Sequence, residues 1–473
     1  MFYNLNLNLL IINQFGAYMK LKYLLYSFLF LLLINLSVSQ LSVKFEKFTL
    51  PNGLTVILHE DHTLPTATAN IWYHVGSGNE KPGRTGFAHL FEHLMFMGSK
   101  NVPIGKFDEW LEAAGGDNNG STSSDRTNYW ENFPNSATEL ALFLESDRLG
   151  YLVDVMTPEK VDAQRDVVKN ERRQSYENRP YGMSSIVIGE NLFPPDHPYH
   201  WPTIGSQEDL SAASFEDVVE FFKKYYVPNN ASFVVAGDID PVKTKELITK
   251  WFSDVPKGKP VMPIQQPVAY LTEEKRVVLE DKVQLPRLYI NWITPKHFSP
   301  GDAELDILAN VLAGGKNSRL YKRLVYDLQI AQDVSAYQDA SMLTSVFSIV
   351  VTARSGHTLT ELEKIVREEI NKVKNETPSL REVQRAVNQY EVSFLMRMER
   401  VGGFGGKADL LNDYYVETGN PDYFNEDLAR YKALTPDDIQ SVTQTYLRDD
   451  GDVVLSIVPQ GKKELAVPEK GDK

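Results

Sequence analysis

His89, Glu92 and His93 stand in the run His89-Leu90-Phe91-Glu92-His93. Histidines four apart on a helix lie one turn apart on one face, so both imidazoles can reach one cation. Glu92 falls in the same arc, roughly 100° wide at 3.6 residues per turn. Two imidazoles with a carboxylate beside them suit Zn2+, with one position left for water. H-x-x-E-H is the inverted zincin pattern, in which the Glu is the general base. The chemistry is hydrolytic: the metal acidifies water and Glu92 takes its proton as it attacks a peptide carbonyl. His59, His62, His197 and His200 lack ligand spacing and read as surface or loop residues.

Zinc needs a third protein ligand. A helix predicted over 158–177, with Pro158 at its first position, offers Glu171. Gln164, seven residues earlier, shares the face of Glu171, and Glu177 is a further option near the helix end. Spacing alone does not choose between them.

The elements that must hold these residues are mixed. Strands are predicted over 54–58, 66–75 and 232–236, and an extended run over 120–133. Helices are predicted over 86–97, 107–114, 137–153 and 214–226, the second stopped by Gly115-Gly116. Strict βαβ alternation is missing, which favours an α+β class with antiparallel sheets and helices on one face. Leu64-Pro65 recurs as Leu285-Pro286, Asn70 as Asn291 and Tyr225 as Tyr446, all at an offset of 221 residues. One offset that fits both ends of a unit marks a duplicated domain. The expected organisation is therefore an N-terminal metal-binding domain over 40–256, a proline-rich linker over 257–272, a homologous domain without a metal site over 273–460, and a polar tail over 461–473.

With 473 residues and 42% hydrophobic residues, the chain can bury real cores. A net charge of -14 disfavours phosphate backbones, so no nucleic-acid partner is expected. There is no cysteine, which excludes disulfides, a thiol nucleophile and a Cys zinc site. Residues 1–39 carry Lys20 and Lys22, an apolar run from Leu24 to Ile34, and Ser37-Val38-Ser39. This reads as a signal peptide cleaved before Gln40, giving a periplasmic or extracellular protein without a stable membrane anchor. Met19 begins the more ordinary leader, with Lys20 and Lys22 as its charged region, and Met1 is the extended alternative start.

Taken together, Leu50-Pro51-Asn52-Gly53-Leu54, the run from Gly86 to Gly98, the run from Gly115 to Thr122 and the run from Gln164 to Glu171 resemble the pitrilysin/insulinase family of zinc metallopeptidases. The similarity is to its half-length subfamily related to mitochondrial processing peptidase. The resemblance implies that His89 and His93 bind Zn2+, that Glu171 is the third ligand, and that Glu92 is the base. It also implies that Asn119 lies on an edge strand where substrate peptide adds as a further strand. Two similar α+β domains are implied as well.

Two departures from the family pattern stand out. Gln164 stands where the family often has Glu beside the site. Catalytic members also draw an Arg and a Tyr from the C-terminal domain, and those positions hold Val325 and Gln332 here. Arg319 and Tyr326 have the right separation in the wrong register, and Ala309 and Asn310 lie where Glu92 and His93 would map. The expectation is a zinc-bearing subunit whose partner is a homologous chain with the Arg–Tyr pair, or otherwise a homodimer. A non-catalytic structural or binding subunit is the alternative.

Overall fold

In a computed structural model the chain is described over residues 41–265 and 269–468. The expected signal peptide lies outside the described residues, as do 266–268 of the linker and 469–473 of the tail. Among the described residues, no helix is long and apolar enough to cross a membrane.

The first half lays down β1 (Glu46–Thr49), β2 (Thr55–Glu60), β3 (Thr66–Tyr73), β4 (Asp117–Thr122), β5 (Thr127–Pro134) and β6 (Ala231–Gly237). Their order across the sheet is β1-β2-β6-β3-β5-β4. The second half contributes β7 (Lys275–Asp281), β8 (Arg287–Thr294), β9 (Ala331–Asp339), β10 (Ser345–Ala353) and β11 (Asp452–Pro459). They form a second sheet in the order β7-β11-β8-β10-β9. β3 and β8 are in step at the repeat offset, as are the helices Phe215–Tyr225 and Pro436–Tyr446. The two sheets also share one topology, β2-β6-β3-β5-β4 matching β7-β11-β8-β10-β9.

Several sequence expectations need correcting. Each sheet contains one parallel pair, β2 with β6 and β7 with β11. A strand that returns after a long helical excursion can enter parallel to the strand it left, which a hairpin cannot do. The extended run over 120–133 is a hairpin, β4 and β5 closed by Ser123 N–H donating to Arg126 O at 2.8 Å. The helix predicted to Glu177 ends as α-helix at Arg172 and passes into a π turn over Arg173–Glu177. The polar tail expected over 461–473 is partly packed: a 3-10 turn over Lys463–Leu465 leads to Ala466 and Val467, which pack into the second core. Their apolar side chains decide this despite the charged residues around them.

Both faces of each sheet are covered over the central strands, where one-sided packing was expected. On β3, Ala67, Ala69, Ile71 and Tyr73 face the first core with its helices. The alternate residues Asn70 and Trp72 meet the helix Lys407–Thr418, which comes from the second half. Asp409 on that helix is buried, and its Oδ1 accepts from Asn70 Nδ2 (3.3 Å), Trp72 Nε1 (2.9 Å) and Asn128 Nδ2 (3.0 Å). Its Oδ2 accepts from Gly405 N–H at 2.8 Å. Asn412, one turn on, donates to the backbone O of Asn70 at 2.9 Å. The loop before this helix comes so close to β3 and β5 that a Cβ on Gly402 would lie 1.9 Å from Asn132 Oδ1, so only glycine fits. In return, the helix Ser184–Leu192 of the first half lies on the second sheet, with Val187 and Ile188 against Tyr289, Leu455 and Ile457.

These contacts make two predictions. Asp409→Ala strands three buried donors, each costing about 1–3 kcal/mol, so denaturant unfolding should show a loss of about 3–5 kcal/mol. A loss below about 1 kcal/mol would show that water replaces the carboxylate without penalty. Lys407 also pairs with Asp61 of the first half. Hydrogen bonds from Lys407 and Thr63 hold the Asp61 carboxyl well below the usual carboxylate range. A carboxylate with a depressed folded pKa stabilises above its unfolded value near 4 and loses that as pH falls toward the folded one. Asp61→Asn should therefore lower the melting temperature at pH 7, and by progressively less between pH 4 and pH 2. A deficit that is constant with pH would refute the ionic account.

Candidate metal centre

The helix Phe87–Leu94 buries Leu90, Phe91 and Leu94 in the first core, which leaves His89, Glu92 and His93 on its other side. Its N-terminus has no cap of its own, because Gly86 is left-handed there at φ 89°. The buried Glu80 carboxylate serves instead, accepting from Gly86 N–H at 2.9 Å and Ala88 N–H at 2.8 Å. A carboxylate at a helix N-terminus satisfies orphan donors and complements the helix dipole. Burial still pushes the Glu80 carboxyl up to about 8, against those hydrogen bonds.

The second helix, Pro158–Arg172, is capped by Thr157 and buries Val161 and Val168. That orientation delivers Glu171 to the histidines. Glu171 Oε2 lies 3.2 Å from His93 Nε2, and Oε1 lies 3.8 Å from His89 Nε2. One donor atom from each residue falls within 4.8 Å of the others. Glu177 points elsewhere, accepting from Arg172 Nε at 3.2 Å in the π turn, so of the two glutamates Glu171 alone lies with the histidines. Gln164 donates to Met97 Sδ at 3.0 Å, and His89 Nδ1 is buried without a partner. The orienting hydrogen bond that position 164 could give to a ligand is not made.

The electrostatics suit a cation. Burial, then the neighbouring His93, pushes His89 down to about 4, against the pull of Glu171. The imidazole is therefore neutral at ordinary pH, as a ligand must be. A hydrogen bond from His93 holds the Glu171 carboxyl below its usual value. Burial pushes Glu92 upward, and a hydrogen bond from Thr122 offsets part of that. Two imidazole nitrogens and a carboxylate oxygen at this spacing fit Zn2+.

Glu92 and the edge of the sheet meet directly. Thr122 Oγ1, on β4, donates to Glu92 Oε2 at 2.6 Å. β4 pairs only with β5 and leaves its other edge open. Asn119 is exposed on this strand, its Oδ1 accepting from Gly120 N–H at 2.8 Å. In the turn beyond, Arg126 donates to Ser121 O at 3.0 Å and to Asn128 Oδ1 at 3.0 Å, which fixes β4 against β5. Sequence reasoning missed Thr122, Arg126 and Glu80. Thr122 was within reach, being the third residue after Asn119 in the same quoted run. Glu80 and Arg126 had no spacing signal.

The other half supplies nothing to this centre from its aligned positions. Val325 packs on the second core, and Gln332 is exposed. Arg319 is tied to Glu382 at 2.7 Å, and Tyr326 is 73% exposed. Ala309 is buried in the second core, with Asn310 beside it on the helix Asp302–Ala313. Two histidines read as surface residues are in fact inside. His59 is buried with Nδ1 2.7 Å from Lys44 O, and His197 stacks on Phe193 at 4.6 Å. Their apolar neighbours, not their own polarity, decide that placement.

Comparison with known proteins agrees with this geometry. The family model described as Insulinase (Peptidase family M16) matches residues 55–187, and that described as Peptidase M16 inactive domain matches 212–390. A Helicobacter pylori relative named zinc protease PqqE is 29% identical over 429 residues, covering 88% of this chain and 93% of that one. An Arabidopsis thaliana protein described as "probable mitochondrial-processing peptidase subunit beta" is 24% identical, covering 87% of this chain and 78% of its own length. The crystal structure of a protease from Helicobacter pylori superposes with a TM-score of 0.81 at 26% identity, over 88% of this chain and all of that one. The chain is a member of the insulinase (M16) peptidase family.

Proposed function

We propose that the chain is a zinc-dependent endopeptidase that hydrolyses peptides or unfolded segments. One observation carries this reading: the donor atoms of His89, His93 and Glu171 converge beside Glu92, and Glu92 is hydrogen-bonded to an open edge strand. His89, His93 and Glu171 hold the ion. When bound, zinc acidifies water and polarises a carbonyl. The chain's own residues do the rest. Substrate backbone pairs with the open edge of β4 near Asn119, which gives affinity with little sequence preference. Thr122 occupies Glu92 Oε2, which orients the carboxylate and leaves Oε1 to accept the proton of the attacking water. Glu92 then passes that proton to the leaving amine.

The chain works as the zinc-bearing subunit of a dimer. An Arg–Tyr pair that would orient substrate and support the developing oxyanion is replaced by Val325 and Gln332, and Arg319 is already committed to Glu382. A homologous partner carrying that pair completes the site. Residues 1–39 direct export, so the chain acts in the periplasm or outside the cell.

Glu92→Gln should lower kcat by at least about 1,000-fold while zinc content stays at the wild-type level, because a general base contributes about 100- to 10,000-fold. Peptide hydrolysis that survives this change, or that survives chelation of the metal, would overturn the mechanism. Glu171→Gln should weaken zinc binding more than about 100-fold in competition with a chromophoric chelator, since even outer-sphere changes cost about 10- to 100-fold. For the dimer, the purified chain alone should turn over poorly and gain activity with its homologous partner. Full turnover by the lone chain would refute the two-subunit reading.

A further inference from the structure

Among the described residues, one other group of metal-binding side chains converges, far from the H-x-x-E-H helix in sequence. It comprises His297, Asp413 and Glu417, with one donor atom of each within 4.8 Å of the others. Asp413 and Glu417 stand four apart on the helix Lys407–Thr418, so both project from one face. His297 comes from the loop after β8, with Nδ1 3.2 Å from Glu417 Oε1.

The imidazole is held in place from behind. His297 N–H donates to Ser341 O at 3.0 Å, and the ring stacks on Phe298 at 3.7 Å. Phe298 has a left-handed backbone at φ 56°, unusual for a bulky residue and stabilised by its N–H donating to Asp302 Oδ2 at 3.1 Å.

Asp413 points to what is missing. Its carboxyl is partly buried and takes no hydrogen bond among the described residues, and its neighbours include Glu417 and Asp409. Asp409 is saturated by its four donors, whereas Asp413 has none. Arg126 is the nearby guanidinium, but its recorded hydrogen bonds go to Ser121 and Asn128. A partly buried carboxylate without donors beside a second carboxylate is costly unless a proton or a cation offsets it. Against burial, Glu417 pushes His297 up to about 9, so an entering ion must displace the imidazolium proton. An imidazole in the donor set favours a transition-metal ion over Ca2+ or Mg2+.

We propose that His297, Asp413 and Glu417 form a second divalent-metal site, taking Zn2+ or a similar first-row ion. The ion joins the loop after β8 to the helix that carries Asp409 onto the first sheet. It is a structural clamp within the second half and stands independently of the peptidase reading.

The test is metal stoichiometry of the full chain, stripped with chelator and dialysed against Zn2+. The wild type should bind one more ion than Asp413→Asn/Glu417→Gln, and the difference should persist in a His93→Gln background. Zinc should also raise the melting temperature of the His93→Gln protein, and not that of the triple variant. His297→Gln provides the same comparison if the double variant does not fold. Equal zinc content with and without the three side chains overturns the site, whatever happens at His89 and His93. If the peptidase reading alone fails, the wild type and His93→Gln bind the same single ion, and Asp413→Asn/Glu417→Gln loses it.

Discussion

A single buried carboxylate, that of Asp409, ties the second half of the chain to the first. A charge taken out of water is tolerable only when hydrogen bonds replace its hydration, and three side chains of the first sheet together with the Gly405 N–H do this. Those side chains lie on the face of β3 and β5 turned away from the first core, so the contact gives the sheet a second buried face. The reciprocal helix, Ser184–Leu192 on the second sheet, does the same with apolar contacts. Each half therefore completes the other. The consequence reaches the site: Asn128, which donates to Asp409, also accepts from Ser121 Oγ at 2.7 Å on the edge strand.

The metal centre rests on a division of labour between two helices. His89 and His93 are neighbours by helix geometry alone, but Glu171 arrives on a helix whose own orientation is set by Val161 and Val168. Glu92 is placed twice, by its helix and by Thr122. Below the hairpin, the fully buried Arg148 pairs with Glu131 at 2.9 Å and with Glu145, while its guanidinium lies 4.2 Å from the centre of the Tyr129 ring. This ionic group braces β5 from the core side, and β5 in turn carries β4. The edge strand is thus fixed from both faces.

Duplication has produced two halves with one topology and different chemistry. The helix Asp302–Ala313 has Ala309 and Asn310 where ligands would map, and it has become a core element. The chemistry-bearing residues of the second half lie elsewhere, at His297, Asp413 and Glu417; helical spacing joins Asp413 to Glu417, but His297 meets them only because the helix Lys407–Thr418 folds beside the loop after β8.

Much was legible in the sequence. The H-x-x-E-H spacing determined the histidine pair, because helical periodicity is a local property. The 221-residue offset determined the duplicated sheets, since β3 and β8 repeat in step. Within the first half, apolar periodicity placed β2, β3, β6 and the helices Phe87–Leu94, Lys106–Ala113, Thr138–Tyr151 and Phe215–Tyr225 to within a few residues. What the sequence left open was everything that depends on long-range packing. Spacing alone did not choose among Glu171, Gln164 and Glu177, and only the packed helix brings Glu171 beside the two histidines. The hairpin within 120–133, the parallel pairs, the burial of His59 and His197, and the polar face of β3 covered by a distant helix were likewise settled by tertiary contacts. The physical reason is range: backbone periodicity acts over one or two turns, whereas desolvation of a side chain depends on which residues, hundreds of positions away, close over it.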